Sequence, residues 1–271
     1  MIKTGVAFSG CVPYVAQRAM NLSRCFVPRQ LLFLSVTALL ASRWPAHGQE
    51  TITLRSGQTQ EVKILGVTSS GVSVQIGDAQ MVEPFSNLTA VSMTAPPEFT
   101  AAATQYAQGD LQGALGTATT LVQTYRGLPT DWARQAMLMI GDIYVALGHV
   151  QQAQTAYQDY QAAYPGADTT ALNIGLAGID VANKNLDAAK AKIAPVLSQA
   201  LSARNPPADQ AAIIGRAFLV SGEIKEQSGD FSGALEDYLR TVTIFPQDSI
   251  AAAGAQQHAD ALRRSHSVAV P

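Results

Sequence analysis

Beyond position 25 the chain has no cysteine, its two being Cys11 and Cys25. The body of the protein therefore has no disulfide, thiol nucleophile or thiolate metal site, and packing alone must hold it together. Charge is also scarce, at 14% of 271 residues against 47% hydrophobic. That balance excludes a disordered chain and leaves ample material for a core. No Asp or Glu precedes Glu50, whereas Lys3, Arg18, Arg24, Arg29 and Arg43 all lie before it. The remainder carries 13 basic and 20 acidic side chains. An acidic body without a basic stripe cannot neutralise a phosphate backbone well, so nucleic acid is not an expected partner.

Long apolar runs are missing too. Leu31 to Ala41 reaches about half of the roughly 20 residues needed to cross a bilayer, so no stable membrane span is expected. A basic start, this short run and then Ala46-His47-Gly48 follow the order of a secretory signal. Residues 1–48 are expected to be a cleaved signal peptide whose true start is Met20. Both cysteines precede the apolar run, so the chain is not expected to be a lipoprotein. A periplasmic or secreted location follows.

From Thr51 to Met93 short alternating runs are broken by Ser56-Gly57, Ser70-Gly71 and Gly77-Asp78, the pattern of strands and tight turns. The runs are Thr51–Leu54, Glu61–Leu65, Val72–Ile76, Gln80–Val82 and Leu88–Met93. Residues 49–94 are thus expected to be a small five-stranded β-barrel domain, which resembles the SH3-like and Sm-like barrels. After Ala95-Pro96-Pro97 the composition turns to Ala, Gln, Leu and Tyr at helical spacing, and a helical domain is expected over 97–264. Residues 265–271 are expected to be a flexible tail.

The helical part repeats itself. Ala114, Ala153, Ala189 and Ala234 each follow a turn-like segment, namely Gly109-Asp110, Gly148-His149, Lys184-Asn185 and Gly229-Asp230. The second unit carries Gly141, Tyr144, Gly148, Ala153, Tyr157 and Pro165; the fourth carries Gly222, Gly229, Ala234, Tyr238 and Pro246. On these residues the chain resembles the tetratricopeptide repeat. The resemblance implies a mainly α fold, an α-solenoid of about four helix pairs followed by a capping helix over 248–264. The first unit departs from the pattern, with Ala102 and Tyr106 its nearest matches. The third does so more, with Asp180 where an aromatic is usual and Pro195 expected to kink the second helix. Asn205-Pro206-Pro207 accounts for the longer connection to the fourth unit.

The sequence contains no Gly-x-Ser-x-Gly, His-Glu-x-x-His or phosphate-binding glycine loop. No catalytic residue, metal site or cofactor is expected. His149, His258 and His266 are scattered and read as surface residues, while Glu236-Asp237 and Glu223 with Glu226 read as solvated faces. The resemblance implies a concave groove lined by the first helix of each unit. The residues it places there are Gln135, Leu138, Met139 and Asp142; Ile174, Gly175 and Gly178; and Arg216, Leu219, Val220 and Glu223. This set lacks the Lys and Asn cluster with which some members hold a terminal carboxylate. Gly175 and Gly178 either leave bare backbone for a peptide or permit tight helix packing. The leading expectation is a non-catalytic scaffold or adaptor that binds a protein or peptide partner in the cell envelope. Self-association into a structural envelope protein, and an unrecognised hydrolase of envelope polymer, are the alternatives.

Overall fold

The computed structural model describes residues 50–203 and 208–266. The expected signal peptide, the Asn205-Pro206-Pro207 connection and residues 267–271 of the expected tail lie outside the described residues. The alternating runs form six strands: β1 (Thr51–Leu54), β2 (Thr59–Glu61), β3 (Lys63–Thr68), β4 (Gly71–Ile76), β5 (Ala79–Pro84) and β6 (Leu88–Ser92). They make two antiparallel three-stranded sheets, ordered β2-β1-β6 and β3-β4-β5. Five strands were expected. The run read as one strand from Glu61 to Leu65 is divided at Val62, and the two sides pair in different sheets.

Alternation along these strands buries Ile52, Ile64, Val72 and Val74. They do not form a core of their own. They pack in one apolar cluster with Leu121, Leu128, Trp132, Ala133 and Ala136 from the helical part. Trp132 also donates its indole N–H to the Met93 carbonyl at 3.0 Å and meets the Tyr125 ring edge-on, with centroids 5.2 Å apart. So short a stretch of chain buries little surface alone, and its apolar face is completed by the first helices.

Nine helices follow among the described residues: α1 (Pro97–Ala107), α2 (Leu111–Tyr125), α3 (Asp131–Ala146), α4 (Val150–Ala163), α5 (Thr170–Ala182), α6 (Leu186–Ser202), α7 (Ala211–Gln227), α8 (Phe231–Thr243) and α9 (Ser249–His266). They form four antiparallel pairs and a final helix, the tetratricopeptide-like solenoid that the repeat pattern implies. Ala114, Ala153, Ala189 and Ala234 are each completely buried where paired helices touch. In the second and fourth pairs a Cβ on Gly141 or Gly222 would overlap the ring of Tyr157 or Tyr238. Glycine on one helix and tyrosine on the next are therefore one packing unit, used twice.

The turns within the pairs share one hydrogen-bond scheme. His149 N–H reaches the Tyr144 carbonyl at 2.8 Å and Gly148 N–H the Val145 carbonyl at 2.9 Å, closing the helix end with a left-handed residue. The same two bonds recur with Asp110 and Gly109, Asn185 and Lys184, and Asp230 and Gly229. Lys184 alone fills the left-handed position with a side chain, at φ 61°. In this third pair Asp180 forms an ion pair with Lys192 across α5 and α6; the fourth pair has the same contact with the charges exchanged, Lys225 to Asp237, and the second has Tyr144 at the Asp180 position. Pro195 sits inside α6 without ending it. α9 begins where Asp248 Oδ1 accepts the N–H groups of Ile250 and Ala251 at 3.1 and 3.0 Å.

Lys184→Gly should raise stability by about 1 kcal/mol in chemical denaturation, because glycine takes the left-handed conformation without the Cβ clash. Gly148→Lys should lower it by a similar amount. Equal midpoints for the two variants would contradict this account of the turns.

Candidate functional site

A cavity of about 770 Å³ opens on the concave side, between α3, α5, α7 and α9. Its apolar wall includes Val145, Ile174, Val181, Leu219, Val220 and Phe231. Its charged groups fall at two ends of one stripe on α7. Arg216 and Glu223 are seven positions apart, about two helical turns or ~10 Å along the axis, with Leu219 and Val220 between them.

At the Arg216 end the guanidinium is paired with Asp142 of α3, and its Nε lies 3.9 Å from Asp248 Oδ2 at the start of α9. Tyr157 of α4 donates its hydroxyl to Asp142 at 2.6 Å, and Tyr106 of α1 lines the same end. Burial alone would lower the Arg216 pKa, but Asp142, Tyr106, Tyr157 and Asp248 outweigh it and hold the group above its ordinary value. Burial, then the Asp142 charge, pushes both tyrosines far up, so they stay neutral donors. Ser249 Oγ donates to the Ala107 carbonyl at 2.7 Å, joining α9 to α1. The solenoid thus curls until its last helix touches its first, and the groove becomes a walled cavity.

At the other end, Glu226 accepts the Tyr238 hydroxyl at 2.6 Å and lies 2.9 Å from His258 Nδ1, which must carry the proton in that pairing. The His258 and Tyr238 rings stack with centroids 5.1 Å apart. Glu223 Oε1 is 3.9 Å from His258 Nε2, too far for a hydrogen bond. Burial raises the Glu223 carboxyl; His258 lowers it, Glu226 raises it, and the result is about 7.

Of the eleven residues the sequence places in a groove, Asp142, Ile174, Gly175, Gly178, Arg216, Leu219, Val220 and Glu223 line the cavity. Gln135, Leu138 and Met139 do not. Gln135 is exposed earlier on α3, Met139 is half-buried there, and Leu138 packs in the apolar cluster around Met137 and Tyr157. The two glycines do not chiefly make room for a ligand. A Cβ on Gly175 would overlap the Tyr157 hydroxyl, and one on Gly178 would lie 3.3 Å from Val145, so both serve helix packing.

Sequence reasoning missed Tyr106, Asp248 and His258, which join the site through α9 or through its closure on α1, and Glu226, which lies on α7 beside Glu223. His258, read as a surface residue, and Glu223 with Glu226, read as a solvated face, in fact converge here. The solvated reading fits Glu236 but not Asp237, which is buried and bound to Ser221, Lys225 and Arg240. Among the described residues no group of three or more His, Cys, Asp or Glu is arranged to hold a metal ion. None of the described helices is long and apolar enough to cross a membrane.

Residues 135–167, covering most of α3 and all of α4, match the tetratricopeptide repeat family model. The other three helix pairs share the architecture of the matched pair. No curated protein and no solved structure matches the chain.

Glu223 has a direct signature in stability. A carboxyl raised from 4.5 to about 7 binds its proton more tightly in the folded state, so its contribution is present at low pH and is lost as pH rises through about 7. Glu223→Gln should therefore be more stable than the native chain at pH 8, by about 1–3 kcal/mol, with the gap closing near pH 4. A gap independent of pH, measured by urea denaturation, would contradict the assignment.

Proposed function

We propose that the chain is an exported, non-catalytic adaptor that holds a peptide segment of a protein partner in the cavity between α3, α5, α7 and α9. Tetratricopeptide repeats are protein-interaction scaffolds, and residues 135–167 match that family. The observation that carries the reading is the cavity itself: an apolar wall long enough for a few side chains, with polar groups fixed at both ends. Export to the envelope rests on the acid-free, basic start followed by a short apolar run and small residues.

Random octapeptides displayed on phage, panned on the chain from Gln49, test this reading. Enriched peptides should bind Leu219→Gln about tenfold more weakly, since the variant removes apolar contact from the wall. Met139→Gln, outside the cavity, should bind as the native chain does. The same loss in both variants would move the binding surface elsewhere, and no enriched peptide would overturn the reading.

A second reading, self-association, is favoured by β5. This strand is the edge of its sheet and exposes Met81 and Val82, at 48% and 41% of their surface, with Phe85 beside them. Light scattering would then show a concentration-dependent dimer that Val82→Pro abolishes; a strict monomer excludes it.

A further inference from the structure

The cavity carries more negative than positive charge. Asp142, Glu223, Glu226 and Asp248 line it, against Arg216 and the imidazole of His258. Arg216 is already matched by Asp142 and Asp248. Glu226 is satisfied by Tyr238 and His258. Glu223 is different. It keeps a quarter of its side-chain surface accessible, lines the cavity, and accepts no hydrogen bond from the described residues.

We propose that the Glu223 end of the cavity receives a lysine or arginine side chain of the bound peptide, whose adjacent apolar residue lies against Leu219 and Val220. This inference rests on the peptide-binding reading above. A wholly apolar segment filling the cavity would strip water from Glu223 and leave a buried acceptor without a donor, a cost of about 1–3 kcal/mol or more for a charged group. An acidic segment would add like-charge repulsion to that cost. A cationic head removes it and contributes a charge-assisted hydrogen bond, while its methylene stem continues the apolar contact. Leu219 and Val220 lie one turn before Glu223 on the same face of α7, so one residue of stem length joins the two contacts.

The site is also sensitive to pH near neutrality, because a protonated Glu223 offers no charge to the ligand. The groups facing it are Glu226 on α7, His258 on α9 and, through Glu226, Tyr238 on α8. Lys225 is held by Asp237 on the α8 side, Asp180 of α5 by Lys192, and Arg216, Asp142 and Asp248 occupy the other end. Affinity for a cationic peptide should therefore rise as pH rises across neutrality and Glu223 ionises.

The phage-displayed octapeptides supply the probe. Panned at pH 8, they should be enriched in Lys or Arg next to Leu, Ile or Val. One such peptide, synthesised with both ends capped, and its counterpart with norleucine in place of the basic residue, are then titrated calorimetrically. The native chain should prefer the basic peptide at least tenfold at pH 8 and lose about tenfold in affinity at pH 6. Glu223→Gln should bind both peptides alike and show neither effect, while Met139→Gln, outside the cavity, should keep both. Enriched peptides without basic residues, or a preference unchanged in Glu223→Gln, overturn the inference but leave the groove reading standing if Leu219→Gln still weakens binding. A pH dependence that disappears in His258→Gln but persists in Glu223→Gln also overturns it. Failure to enrich any peptide overturns the groove reading itself.

Discussion

Arg216 is the constraint on which the shape of the concave side depends. Only 18% of its side chain is exposed, and it stands among groups from four other elements: Asp142 of α3, Asp248 at the start of α9, Tyr157 of α4 and Tyr106 of α1. A buried cation is tolerated only where acceptors surround it closely, and taking away one partner of such a pair typically costs about 3–5 kcal/mol. The network therefore fixes where α9 begins and how tightly the helices curl. The Asp248 side chain serves twice, capping α9 through one oxygen and facing Arg216 with the other. With α9 so placed, its Ser249 meets Ala107 of α1, and a groove that would be open in a straighter solenoid acquires a wall.

The two polar ends of the cavity come from one repeated device. Tyr157 and Tyr238 occupy equivalent positions, each seated against a glycine of the preceding helix, Gly141 or Gly222. Their rings pack alike, but the hydroxyls go to different carboxylates, Asp142 in one case and Glu226 in the other. Repetition of the packing thus delivers a neutral hydroxyl donor to each end, and variation of the neighbouring residues decides what that donor holds. At the Asp142 end the carboxylate is further engaged by Arg216. At the Glu226 end the partner is the imidazole of His258, which does not reach Glu223 within hydrogen-bond distance, so Glu223 is left with acceptor capacity.

Much of this was legible in the sequence. The alanines at 114, 153, 189 and 234, the turn residues before them and the glycine–tyrosine pairs place the four helix pairs and the cap, because each is demanded by local packing or by a backbone angle. The division of strands at Val62 was not, since a continuous alternating run carries no mark of a change of sheet. Nor was the shared core around Trp132, which joins strands to helices across some 40 to 80 positions. The site was half legible. Residues on α5 and α7 follow from the repeat resemblance, which puts the first helix of each unit on the groove, but Leu138 and Met139 of α3 do not line the cavity. His258 and Asp248 enter only because α9 closes on α1, a contact between residues 142 positions apart that no local pattern encodes.

The claim most in need of a direct test is that the Arg216 network closes the solenoid. In the chain from Gln49, cysteines introduced as Ala101→Cys on α1 and Ala253→Cys on α9 would be the only two present, and nitroxide labels on them allow the separation to be measured by pulsed electron spin resonance. The account predicts a single narrow distance distribution for the otherwise native chain and a broader, longer one when Arg216→Met is added. An unchanged narrow distribution in that variant would show that other contacts hold the last helix on the first, and would contradict the central role given to Arg216.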